Sequence, residues 1–111
     1  MHLPTPRSGM PDHEFQKFSA RAREASDLLK ALAHHTRLLI LCILAEGERT
    51  VGEIEDILGI QQAMVSQQLA RLRMEGIVNT RRQGRLIYYR VENPGTVAFL
   101  RTLFVMVPAE A

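Results

Sequence analysis

Apolar positions along this chain follow a helical period over most of its length and switch to a strand-like pattern in one short stretch. From His13 onward, Phe15, Phe18, Ala22, Ala25, Leu29 and Leu32 step by three and four residues, which predicts one long helix with an a/d-type seam. The triplet His34-His35-Thr36 breaks the pattern and places Thr36 or His35 near the cap of the next helix. That helix, RLLILCILAEG, is apolar almost all round, so burial on most sides is expected, with Gly47 as its stop. Thr50 opens TVGEIEDILG, and Glu53 three residues later gives the spacing of a capping box. Gly59 ends this helix, and IQQAMVSQQLARLR follows after a very short turn, with Val65, Leu69 and Leu72 at i, i+4 and i+7 marking one buried face.

Gly76 closes the glutamine-rich helix. IVNTRR and RLIYYRV, rich in β-branched and aromatic residues, flank Gln83-Gly84 and predict a short hairpin. Asn93-Pro94-Gly95 punctuates the chain, and Thr96 is expected to start a last helix, TVAFLRTLFVMV. The expected order is α-α-α-α-β-β-α, mainly helical with a small β-hairpin. Its third and fourth helices are joined tightly enough to form a helix-turn-helix.

The polar face of the fourth helix is chemically unusual. Four glutamines, one serine and two arginines share residues 60–73 with the apolar stripe, and acid is absent. A merely solvated helix mixes Glu with Lys. A glutamine amide is uncharged and both donates and accepts, which is what reading the edge of a base pair requires.

At 111 residues the chain is expected to form one domain over residues 13–108, after a flexible arm over residues 1–12 that carries three prolines and a glycine. No apolar run has the length to cross a membrane, and the N-terminus lacks a signal-peptide core, so a cytoplasmic protein without a membrane partner is expected. Cys42 is the single cysteine, which excludes an intrachain disulfide. The net charge of +2 hides an uneven distribution. Residues 46–56 hold five acids and one arginine, whereas residues 61–90 hold six arginines (71, 73, 81, 82, 85 and 90) against Glu75 alone. Such a basic stripe is the electrostatic footprint of a polyanion partner.

The last helix is hydrophobic around nearly its whole circumference. A small domain buries one side of such a helix, and the other side needs a partner. With the seam of the first helix, this predicts a homodimer whose interface includes Phe15, Phe18, Leu100, Leu103, Phe104 and Val107.

The segments LLKALAHHTRLLILCIL, TVGEIEDILGIQQAMVSQQLARLRMEGIV and TRRQGRLIYYRV, in this order, resemble the ArsR-type family of bacterial winged-helix repressors over about residues 15–107. Within that family they are similar to the branch that includes the biofilm repressor BigR, the haemolysin activator HlyU and the nodulation repressor NolR. The resemblance implies a winged helix-turn-helix with its recognition helix at residues 61–74 and its wing at residues 80–86. It puts Gln62, Ala63, Ser66 and Gln67 in the major groove, Arg81, Arg82 and Arg85 on phosphates or in the minor groove, and Arg71 on a phosphate. Where the branch often has a serine capping the recognition helix and another in its first turn, this chain has Gln61 and Ala63, so its base preference is its own.

Metal-binding members of the family carry a Cys-x-Cys pair where this chain has Thr50 and Gly52, and Asp and His on a last helix where residues 96–107 have neither. No metal site or cofactor is expected, and His34 and His35 read as structural or solvated. Redox-responsive members pair a cysteine at the position of Cys42 with one in the last helix, and the matching place near Pro108 holds none. Cys42 is therefore either a small core residue or a one-cysteine sensor. The functional expectation is a dimeric DNA-binding transcriptional regulator, a repressor, acting on a near-palindromic double-stranded operator. The alternative is a winged-helix protein-interaction module without DNA binding. No catalytic constellation points to an enzyme.

Overall fold

The computed structural model describes residues 4–109. Of the arm expected over residues 1–12, residues 1–3 lie outside the described residues. The elements are α1 (Asp12–Leu32), α2 (His35–Glu46), α3 (Val51–Leu58), α4 (Gln62–Met74), β1 (Val78–Gln83), β2 (Leu86–Val91) and α5 (Pro94–Met106), the expected order. They fall into two units, one up to residue 33 and the other from residue 34 on.

In the first unit, α1 begins directly after Pro11, with Asp12 and Glu14 in its first turn and Lys30 in its last, the charge order that suits the helix dipole. The arm before it is not featureless: Met10 N–H donates to the Arg7 carbonyl and Arg7 pairs with Glu14 at 3.2 Å. Along the seam, Phe15 and Leu29 are exposed and Phe18 is half-buried, whereas Leu32 at the end of the helix is buried together with Ala31.

The second unit is built on a small apolar core. Ile40, Leu41 and Leu44 of α2, Ile54 of α3, Val65, Leu69 and Leu72 of α4, Ile77 just before β1, Val78 of β1 and Leu100 of α5 are its buried members. Each fully buried aliphatic side chain contributes about 1.5–3 kcal/mol relative to exposure. The full circle of apolar residues on α2 is not fully used, because Leu39 is exposed and Cys42 and Ile43 are half-buried. α2 also starts earlier than the apolar run. The His34 side chain, rather than Thr36 or His35, caps it, with Nδ1 accepting from Arg37 N–H at a long 3.5 Å.

The expected capping box on α3 is present in both directions: Thr50 N–H donates to Glu53 at 2.9 Å and Glu53 N–H donates to Thr50 Oγ1 at 3.2 Å. At the end of α4, Gly76 takes φ +76°, Gly76 N–H donates to Arg73 and Ile77 N–H to Leu72, at 3.0 and 2.9 Å. This is a Schellman ending, and Ile77 is buried, a feature that often accompanies the motif. It turns the chain from helix directly into β1.

β1 and β2 pair antiparallel from Val78↔Val91 to Gln83↔Leu86. The two-residue turn is therefore Gly84-Arg85, one position later than the expected Gln83-Gly84. Gly84 has φ +63° and Arg85 does not have a positive φ, as in a type II′ hairpin with glycine first. A single bridge, Arg49↔Tyr89, adds the segment after α2 to the other edge of β2. α5 begins at Pro94 rather than Thr96. Asn93 caps it by accepting from Gly95 N–H, and proline fits the first helical position because its missing N–H has no partner there anyway.

α3 gives a clean test of this core. Ile54→Ala should destabilise the protein by about 2–5 kcal/mol, since the side chain is fully buried. Ile57→Ala, at a position 56% exposed, should change the urea midpoint far less.

Candidate nucleic-acid interface

α3 and α4 are separated only by Gly59, Ile60 and Gln61, and Gly59 turns the chain with φ +67°. α4 packs on α3, α2 and β1 through Val65, Leu69 and Leu72, all of which are inaccessible to solvent. The opposite face is therefore open. Gln62, Ala63 and Gln67 are exposed and Ser66 is half-buried. Ala63, Gln67, Ala70 and Met74 succeed one another at helical spacing along the middle of the open face, which adds Ala70 and Met74 to the residues expected there from sequence. Gln61 makes no side-chain cap bond, in keeping with the lack of a serine there.

The helix is held from behind by a bond that sequence spacing does not suggest. Arg37 Nε donates to Gln68 Oε1 at 2.9 Å across 31 residues, tying α2 to α4. Gln68 is thus a supporting residue, while Gln62 and Gln67 stay exposed on the outer side. Arg71 is exposed and lies 3.7 Å from Glu75, a loose pair one turn apart.

The wing arginines are not equivalent. Arg82, opposite Ile87, and Arg85, at the turn, are both exposed. Arg81 is engaged by its own chain: Nε donates to both Glu48 oxygens at 2.9 and 2.8 Å, and Nη1 donates to Gln83 at 2.8 Å. Its guanidinium carbon lies 4.5 Å from the Tyr88 ring centre. The Arg81 hydrogen bond holds the Glu48 carboxyl below the usual glutamate range, with Arg90 adding to the same effect. A charge-balanced Arg81 is less available to phosphate than the sequence suggested.

The residues expected at a subunit interface also divide. Leu100 is 3% exposed and already covered by its own chain, so it has almost no surface left for a partner. Phe104 is 50% exposed, Val107 is exposed and Leu103 is half-buried. Val105 and Met106, which the sequence pattern did not point to, are more exposed still.

Cys42 is half-buried in α2, and burial pushes its thiol above the ordinary cysteine range. A raised pKa keeps it protonated at neutral pH, and the thiol is a far weaker nucleophile than the thiolate. Alkylation of the folded protein by iodoacetamide at neutral pH should therefore be much slower than alkylation of the same chain in denaturant, as followed by intact mass. Equal rates would show that the thiol is open and as reactive as an ordinary exposed cysteine.

The family model for bacterial regulatory proteins of the arsR family matches residues 34–80, the stretch from the cap of α2 to the start of the wing. The biofilm growth-associated repressor of Xylella fastidiosa is 40% identical over 97 residues, covering 87% of this chain and 85% of that protein. The solved structure of the transcriptional repressor BigR from Xylella fastidiosa superposes with a TM-score of 0.78 at 40% identity, over 91% of this chain and all of that one. The homodimeric winged helix-turn-helix DNA-binding domain of Mb0332 from Mycobacterium bovis gives a TM-score of 0.73 at 31% identity, over 90% of this chain and 89% of that one. With its helix-turn-helix, glutamine-bearing α4 and arginine-tipped hairpin, this chain belongs to the arsR family of bacterial regulatory proteins and is a winged helix-turn-helix transcriptional regulator.

Proposed function

We propose that the protein is a homodimeric repressor that reads a near-palindromic DNA operator with α4 and grips its backbone with the wing. The observation that carries this reading is the exposed, acid-free face of Gln62, Ala63, Ser66 and Gln67 on a helix whose other face is locked in the core. Glutamine can bond adenine N6 and N7 together, and Ala63 allows close approach or contact with a thymine methyl. Arg82 and Arg85, with Arg71 at the far end of α4, supply positive charge for phosphates. Repression is the action named for the Xylella relative, and homodimerisation is that named for the Mycobacterium domain. Those relatives favour a DNA-binding regulator over a winged-helix module that binds only protein. Such a regulator works in the cytoplasm, and no single helix among the described residues is long and apolar enough to cross a membrane.

The dimer is proposed to form through α1 and α5. Phe15 on α1 and Phe104 and Val107 on α5 leave apolar surface that one chain does not cover. We read Cys42 as a packing residue rather than a sensor, since burial disfavours its thiolate.

Reader and positioner residues should separate in binding experiments. Gln62→Ala should cost about 1–3 kcal/mol on the operator and barely change binding to random duplex or the salt slope. Arg85→Ala should weaken both duplexes alike and reduce the salt slope by about 0.9 for each phosphate that is no longer neutralised. Fluorescence anisotropy on both duplexes at several salt concentrations makes the comparison. Identical behaviour of the two variants would overturn the division of roles.

For the dimer, Phe104→Glu places a charge in the proposed dry interface and should give a monomer in sedimentation velocity at micromolar concentration. A monomeric wild type under the same conditions would remove the dimer proposal.

A further inference from the structure

The strand register sorts the wing arginines onto different sides of the hairpin. Arg81 stands directly opposite Tyr88, whereas Arg82 stands opposite Ile87, so successive side chains of β1 take opposite faces. β2 lies between β1 and the Arg49 bridge, which brings Glu48 to the sheet edge away from β1. Glu48 nevertheless reaches Arg81 on β1, with the guanidinium over the ring of Tyr88 on the strand between them. The contact therefore spans all three segments. Its other support is Gln83, which accepts from Arg81 Nη1 close to the turn.

Electrostatics alone makes Glu48 out of place. A carboxylate beside a phosphate-gripping wing repels DNA and cancels one of the wing's positive charges. Its position makes sense if the pair has another task. We propose that Glu48 is a positioning residue for DNA binding: by capturing Arg81 across Tyr88, it fixes the stance of the hairpin and so places Arg82 and Arg85 at the DNA backbone. The depressed pKa of Glu48 agrees with a carboxylate kept charged by that capture. This inference rests on the DNA-binding reading above, and deepens it by assigning the wing's support to a residue far from the wing in sequence.

The two ways of reading Glu48 predict opposite signs. If Arg81 were a phosphate contact muted by Glu48, Glu48→Gln would tighten DNA binding, and Arg81→Gln would lower the salt slope by about 0.9. If the pair positions the wing, Glu48→Gln and Arg81→Gln should each weaken binding by a similar factor, up to about fivefold for an exposed pair. The double variant should then be no weaker than either single one, as expected for residues that act as a unit.

The experiment is anisotropy on a mixed-sequence duplex across a salt series, with wild type, both single variants and the double variant. Thermal melts confirm that each variant is folded at the assay temperature. The charge-exchanged protein carrying Glu48→Arg and Arg81→Glu should recover most of the affinity that the single variants forfeit, which a phosphate-contacting Arg81 would not allow. Tighter or unchanged binding by Glu48→Gln, with wild type binding normally, overturns this inference alone. Absence of DNA binding by the wild type overturns the DNA-binding reading, and the inference with it.

Discussion

The one-sided burial of α4 is the constraint on which the rest of the structure depends. Val65, Leu69 and Leu72 occupy a stripe narrow enough to leave the remaining circumference of the helix outside the core. Their burial against α2, α3 and β1 fixes the rotation of the helix about its own axis. A helix free to roll would scatter Gln62, Ser66 and Gln67 over many orientations. A helix locked at three inaccessible side chains presents them as one surface, and Arg37 adds a polar tie through Gln68 from behind.

The hairpin extends that logic to a second element. The Schellman ending at Gly76 takes the chain from the end of α4 to the start of β1 within three residues, so the end of α4 sets where the wing begins. The short type II′ turn then sets the register, and register decides which arginine faces which way. Arg81 is drawn toward Glu48 and Tyr88, while Arg82 and Arg85 stay exposed. A run of arginines that looks uniform along the chain is thus divided into supporting and available charges by the pleat of a strand.

α5 poses a different balance. Leu100 is taken up by the core of its own chain, yet Phe104, Val105 and Met106 further along are not covered. Exposed apolar groups gathered at one end of a helix are costly in water unless a partner covers them. Phe15 near the start of α1 and Leu29 near its end are also exposed. These two helices therefore carry the apolar surface through which the proposed dimer forms.

Periodicity by itself determined the element order, the buried stripe of α4, the capping box at Thr50 and the exposed glutamine face, because each of these depends on residues within about one or two turns of one another. Composition determined where positive charge accumulates. Local sequence also misplaced some details: the cap of α2 passed to His34, α5 began at Pro94 rather than Thr96, and the hairpin turn fell at Gly84-Arg85. In each case hydrogen bonding at an element's end outweighed the extent of the apolar pattern. Only the tertiary structure decided that Arg81 belongs to Glu48, that Arg37 holds Gln68 and that Leu100 is spent within its own chain. The two pairs join residues 31 and 33 positions apart, and pairing at such distances leaves no periodic trace along the chain.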